Sequence, residues 1–203
     1  MKITQAYRAF TLVGAVFFLG ACAASSDGNS NGNNNQSTSG STATMLPHKG
    51  VAYSLDHGVL KVIDLTQNPP ELAFTERLNA PETLFINKDH LYVGGRLGVD
   101  IFNIEDPTKP VDVAYYSHMR ACDPIIVEDD IGYITLRSGF SNFCRLQGPN
   151  RLEIVDMADP SAPERIAEFP MTNPYGLALT DTHLAVCEEA FGLTLLDVDQ
   201  PLM

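Results

Sequence analysis

Tryptophan is absent from the 203-residue sequence, which removes the usual aromatic anchor for sugar stacking, although seven Tyr and ten Phe remain. Basic side chains are scarce: 13 Lys and Arg stand against 25 Asp and Glu, a formal net charge of −12. Nucleic acid and anionic lipid surfaces both demand a basic face, so neither is an expected partner. No apolar run reaches the roughly 20 residues that a bilayer-spanning helix needs. Beyond residue 45 no window keeps a 3.6-residue apolar period, which argues against helices. There is no Gly-x-Ser-x-Gly elbow, no P-loop and no dinucleotide fingerprint. His48, His57, His90, His118 and His183 fall in different loops or turns, with no His-x-x-x-His pair for zinc. Glu128-Asp129-Asp130 and Glu188-Glu189 lack the spacing of a calcium loop. No catalytic residue, metal ligand or cofactor is therefore expected from the sequence.

The N-terminus is the most explicit segment. Met1 to Arg8 carries Lys2 and Arg8 and no acid, Ala9 to Leu19 is almost wholly apolar, and Leu19-Gly20-Ala21-Cys22 follows. A positive start, an apolar run of about 7–15 residues and a small-residue cleavage site make a secretory signal. The final tetrad reads as a lipobox. Residues 1–21 are then a lipoprotein signal peptide, and Cys22 is the acylated first residue of the mature chain. Ala23 rather than aspartate follows, which favours the outer membrane over inner-membrane retention. The expected address is thus the bacterial cell envelope, as an outer-membrane lipoprotein facing the periplasm or the exterior. Removing Lys2 and Arg8 takes the net charge from −12 to −14. The stretch 22–45, with Ser25 to Thr42 rich in Asn, Ser and Gly, has too little apolar surface to offset its ordering entropy and reads as a flexible tether.

From residue 46 onward the chain repeats itself. Leu60-Lys61-Val62-Ile63-Asp64, Val99-Asp100-Ile101-Phe102-Asn103, Leu152-Glu153-Ile154-Val155-Asp156 and Leu193-Thr194-Leu195-Leu196-Asp197 align, with starts at 60→99→152→193. Each ends in Asp or Asn, side chains that stabilise turns. Proline-containing turns follow: Gln67-Asn68-Pro69-Pro70, Glu105 to Pro110 and Ala158 to Pro163. Two strand-like runs precede each later copy, Thr83 to Ile86 with Leu91 to Val93 being the first such pair. Another follows each of the first three copies (Glu71 to Leu78, Val111 to Ser117, Arg165 to Phe169). Four short strands in about 40 residues is the signature of a propeller blade. The expected class is all-β, with blades of four antiparallel strands.

These tracts, above all Leu60 to Asp64 and Leu152 to Asp156 with their proline turns, resemble the LVIVD repeat of bacterial β-propeller proteins. Tyr133 to Gly139 and Pro170 to Gly176 are similar to segments of members that are surface lipoproteins. The resemblance implies a propeller architecture and carries almost no chemistry. With strands labelled A to D from the inside outward, the chain is expected to enter on strand B of the first blade (Val51 to Leu55). It is expected to end after strand C of the fourth (Leu193 to Val198). Domain 46–203 then holds about three blades of an incomplete ring. The expectation is a longer gene product, of which this chain is a fragment or a truncated form.

Strand alternation sends B–C loops and D–A connections to one end of the propeller. Cys122 precedes strand A of blade three and Cys144 lies in its long B–C loop (Ser138 to Asn150), so Cys122–Cys144 is the expected disulfide. A bridge closing about 20 residues is worth roughly 3 kcal/mol in the chain-entropy account. Cys144–Cys187 is the rival pairing, and Cys187 otherwise reads as a buried thiol. His57, Arg96, Arg137 and Glu189 superpose at the starts of the B–C loops of successive blades. With Arg145 they form the candidate ligand-binding set. The functional expectation is a lipid-anchored, non-enzymatic scaffold that binds a protein or glycan. The alternatives are an enzyme completed by further blades, since fold alone does not choose, or a non-functional truncated product.

Overall fold

The computed structural model describes residues 38–40, 43–118, 124–138, 150–188 and 192–198. They form four four-stranded antiparallel sheets arranged as an open arc, with no helix among them. Blade one orders β2 (Met45–His48), β3 (Val51–Asp56), β4 (Val59–Asp64) and β5 (Glu71–Arg77). Blade two orders β6 (Pro81–Asn87), β7 (His90–Gly95), β8 (Gly98–Asn103) and β9 (Val111–Ser117). Blade three orders β10 (Ile125–Glu128), β11 (Ile131–Leu136), β12 (Arg151–Asp156) and β13 (Glu164–Pro170). Blade four contains β14 (Gly176–Leu179), β15 (His183–Cys187) and β16 (Leu193–Asp197), with β1 (Thr38–Gly40) paired to β14.

Two strands lie where the sequence reading has none. Blade one owns a strand A, because Met45–His48 pairs antiparallel with β3 (Met45↔Ser54 to His48↔Val51). Pro47 masks this strand in sequence, but it occupies an inner edge, where a missing N–H costs no ladder bond. Thr38–Gly40 belongs by composition to the tether, yet it pairs with Leu177 to Leu179. Main-chain pairing needs no apolar side chain, so composition does not reveal it. The fourth sheet thus takes its fourth strand at the inner edge of β14. No strand lies outside β16 among the described residues.

The repeat explains the blades locally. The acid or amide that ends each copy caps its turn, as Asp64, Asn103 and Asp156 accept from the N–H of Thr66, Glu105 and Ala158 at 2.9 Å. Asn103, the departure from Asp in the second copy, serves as well because only its oxygen is used. Each C–D pairing slips by one residue at the same repeat position, at Val62/Ile63, Ile101/Phe102 and Ile154/Val155. A bulge there adds right-handed twist to the outer strand.

Packing between blades comes from the first and third residues of each copy. Leu60 and Val62 of blade one join a core with Leu84, Leu91, Val93, Phe102 and Ile104 of blade two. Val99 and Ile101 meet Ile125 and Ile134 of blade three, and Leu152 and Ile154 meet Leu177, Leu184 and Val186 of blade four. The second residue of each copy points the other way, toward the preceding blade. In blade three it is Glu153, whose side chain is 1 % exposed. Its carboxylate accepts from Tyr116 Oη of blade two at 2.8 Å and Arg165 Nη1 at 3.1 Å, and it pairs with Arg151. In blade two it is Asp100, which faces Glu76 of blade one and Asp112 instead of arginines. Burial first, and those two carboxylates second, push its pKa up to about 6.

Two outcomes follow. Leu152→Ala should cost about 2–5 kcal/mol in a denaturant titration, because it empties a fully buried site between blades. Asp100 favours its protonated form in the fold, so its ionisation removes stability as pH rises from about 4 through 6. Asp100→Asn should raise stability at pH 7 by on the order of 1 kcal/mol, after allowance for partial solvent screening. The gain should vanish below about pH 4, as checked by urea denaturation across that range.

Candidate functional site

Loop lengths single out one end of the arc. The A–B turns are all tight, and Lys49-Gly50 and Asp129-Asp130 take positive φ as two-residue hairpins do. The B–C connections differ. They are two-residue turns in blades one (His57-Gly58) and two (Arg96-Leu97), but in blade three the connection runs from Arg137 to Asn150. Blade four connects β15 to β16 through residues 188–192.

His57, Arg96 and Arg137 each open the B–C connection of their own blade, as the repeat alignment requires. They do not converge on one another. His57 sits at φ 49 in its turn, 96 % exposed, with Nδ1 against Asp56 Oδ1. Asp56 also accepts from Lys61 Nζ, and these two bonds, Lys61 first, hold its carboxyl below the usual range. Arg96 Nε donates to Glu82 Oε1 at 2.8 Å within blade two. The Arg137 guanidinium lies over the Tyr175 ring at 3.9 Å from its centroid, reaching from blade three to the entrance of blade four. Such a cation–π contact is worth about 0.5–1 kcal/mol at an exposed site. No ion pair or hydrogen bond joins these three residues to each other among the described residues. Arg145, Glu189, Cys22, Cys122 and Cys144 lie outside the described residues, and the Cys122–Cys144 pairing lies there with them.

Cys187, read from the sequence either as the partner in the rival pairing or as a buried thiol, is decided by the structure. It ends β15 and is disulfide-bonded rather than a buried thiol, with its partner outside the described residues. A strand-end cysteine looks apolar in sequence, and only placement beside another chain segment distinguishes a bridge from a packed thiol.

Sequence reasoning also missed Glu188, the neighbour of the nominated Glu189. Glu188 is 7 % exposed and gathers three donors: Thr194 Oγ1 at 2.6 Å, the Asn173 N–H at 3.1 Å and the Thr172 N–H. Burial alone would lift its pKa. The bond from Thr194 and those from the Thr172 and Asn173 N–H groups outweigh burial and hold the carboxyl below its ordinary value. The same turn is held from blade three, since Asn150 Nδ2 donates to the Thr172 carbonyl. Arg137, Tyr175, Glu188 and Asn150 thus tie the start of blade four to the B–C end of blade three. The sequence signal was Pro170-Met171-Thr172-Asn173-Pro174, a polar segment whose N–H groups need acceptors.

The opposite end carries a ladder of exposed ion pairs between A–B turns. Lys49 of blade one reaches Asp89 of blade two, and Lys88 of blade two reaches Asp130 of blade three, both at 2.7 Å. At the next junction Asp129 stands at the lysine position and Thr182 at the acceptor position. A cleft of about 350 Å³ opens there, lined by Glu128, Asp129, Tyr133, Leu179 and Asp181 among others. Among the described residues no group of three His, Cys, Asp or Glu side chains is placed to hold a metal ion.

Glu188→Ala removes the acceptor of two backbone donors and one hydroxyl. The expected cost is about 1–3 kcal/mol, read as a lowered urea midpoint with unchanged slope.

No family model and no curated protein matches the sequence. Solved structures do resemble the fold. The computationally designed Ika8 protein aligns with a TM-score of 0.58 at 12 % identity, over 76 % of this chain and 45 % of its own. BamB from Moraxella catarrhalis aligns with a TM-score of 0.57 at 12 % identity, over 75 % of this chain and 42 % of its own. The chain spans less than half the length of either. At such identity the likeness speaks for the fold alone: an all-β, propeller-like arc of four-stranded sheets whose ring is not closed.

Proposed function

We propose that this protein is a lipid-anchored scaffold of the bacterial cell envelope that binds a protein or glycan through the B–C end of its blades. The observation that carries the reading is the contrast between the two ends. Tight A–B turns repeat from blade to blade, whereas the B–C connections of blades three and four are longer and tied to each other. Variable loops on a rigid repeated frame are where binding surfaces are usually built. Arg96 and Arg137 provide partly buried guanidinium groups at that end, and Tyr175 adds an aromatic face beside one of them. The lipobox ending in Cys22 supports the address.

Two measurements test the reading separately. Metabolic labelling with an alkynyl fatty acid should tag the chain and leave the Cys22→Ser variant untagged and released from the membrane fraction. An unlabelled parent chain would remove the anchor. In glycan-array and photo-crosslinking assays with the purified chain, alanine at both Arg96 and Arg137 should weaken the captured interaction at least tenfold. Low-micromolar binding unchanged by both substitutions would remove the proposed surface.

A further inference from the structure

The chain does not enter blade one directly. Thr38–Gly40 forms β1 on the inner edge of β14, with Thr38 opposite Leu179, Ser39 opposite Ala178 and Gly40 opposite Leu177. β1 also lies beside β10 of blade three. The Ala43 carbonyl accepts from the Leu84 N–H of β6 at 2.9 Å, and the Thr44 carbonyl accepts from the Leu55 N–H of β3 at 2.8 Å. A segment that touches the innermost strands of blades two, three and four runs along the axis about which the blades are set. Sheets joined beyond β16 would leave this inner edge, and the path along it, unchanged.

Register fixes the direction of travel. β14 runs from its D–A entrance at Gly176 to the A–B turn, where the Thr180 N–H donates to the His183 carbonyl at 2.9 Å. β1 is antiparallel to it, so Thr38 stands toward the A–B end and Gly40 toward the B–C end. Met45 then opens β2, which runs back to the A–B turn at Lys49-Gly50. The chain therefore arrives at the fold from the A–B end, although strand A of blade one begins at the other.

We infer that the A–B end of the blades faces the lipid surface and that the B–C end, with its long connections, points away from it. The inference rests on the acylation of Cys22 proposed above and deepens that reading by giving each end its side. Only fifteen residues, 23–37, separate Cys22 from Thr38. A chain of that length spans at most about 50 Å, and its r.m.s. reach as a Gly- and Ser-rich coil is about 20 Å. A bilayer at the A–B end lies within that reach. To bring the B–C end to the bilayer, the chain must leave the axis, cross a four-stranded blade about 19 Å wide and climb a six-residue strand about 20 Å long. That route uses about twice the r.m.s. reach, so chain entropy opposes it. Charge offers no competing hold, because the A–B turns carry Lys49 and Lys88 against Asp89, Asp129, Asp130 and Asp181. Without a basic face, the connection decides which end lies near the lipid.

The absence of tryptophan supplies the test, because a single introduced tryptophan is then the one selectively excited donor for energy transfer to a dansyl-headgroup lipid. Lys109→Trp places it in the C–D turn of blade two, at the A–B end, where the Lys109 side chain is 79 % exposed. Leu97→Trp places it in the B–C turn of the same blade, at a position 36 % exposed. Each full chain is purified from membranes with its acyl group and reconstituted in phosphatidylcholine vesicles containing a trace of the dansyl lipid. Transfer should be at least twofold greater for Lys109→Trp than for Leu97→Trp. Adding Thr38→Pro with Ser39→Pro removes an N–H that faces β14, since alternate residues of a strand donate to the same neighbour. That change should bring the ratio to one or below, with sheet content by circular dichroism retained. Equal or reversed transfer in an acylated chain overturns the orientation alone, as does a ratio that survives the two prolines. A chain without the acyl group, recognised by mass spectrometry of its N-terminal peptide, overturns the anchor and the orientation together.

Discussion

Two apolar side chains on the third strand of each sheet, set one residue apart, hold this molecule together. Leu60 with Val62, Val99 with Ile101, and Leu152 with Ile154 each leave one sheet and enter the next, and all six are essentially without solvent contact. A single four-stranded sheet of this size has too little buried surface to stand alone, so each blade depends on the neighbour that receives its pair. The bulge that follows the third residue in each copy turns the outer strand while leaving this pair in place. The capped Asp or Asn then ends the strand, and the proline turn directs the chain into strand D.

The second residue of each copy shows what the apolar frame permits. In blades two to four it faces the preceding blade, and its chemistry varies: lysine in blade one, aspartate in two, glutamate in three and threonine in four. Glu153 is buried with two arginines and a tyrosine, which repay its desolvation through charge and hydrogen bonding. Asp100 meets carboxylates instead and is shifted toward its neutral form. One repeat position therefore supports a satisfied ion network at one junction and an uncompensated acid at another. The apolar pair beside it carries the packing in both cases.

At the ends of the blades, ion pairs follow the same logic of neighbouring turns. Lys49–Asp89 and Lys88–Asp130 link consecutive A–B turns across exposed distances where each pair is worth little. Their regular spacing reports the blade-to-blade rise more than it stabilises it. The B–C end is different because it is centred on a buried acid, Glu188. Glu188 satisfies main-chain donors of the segment entering blade four, and Arg137 stacks on Tyr175 from the blade before. The segment entering blade four is thus held both by its own sheet and by the blade before it.

Much of this was legible in the residues, because a blade is a local object. The period of the repeat, the alternation within each copy, the Asp or Asn at its close and the prolines after it are all consequences of strand and turn chemistry acting within about ten residues. They determined the all-β class, the strand order within a blade and the end to which each loop points. What the sequence could not determine was anything set by the meeting of distant segments. Thr38–Gly40 becomes a strand because the inner edge of β14 offers unpaired main-chain groups, not because of its own side chains. Met45–His48 is a strand despite Pro47 because it lies at an edge. Cys187 is bridged, Glu188 rather than Glu189 is the buried acid, and the aligned His57, Arg96 and Arg137 each find a separate neighbour. Repeat alignment places residues at equivalent points of successive blades, but side-chain partners are chosen in three dimensions by whichever donor, ring or edge the fold brings within reach.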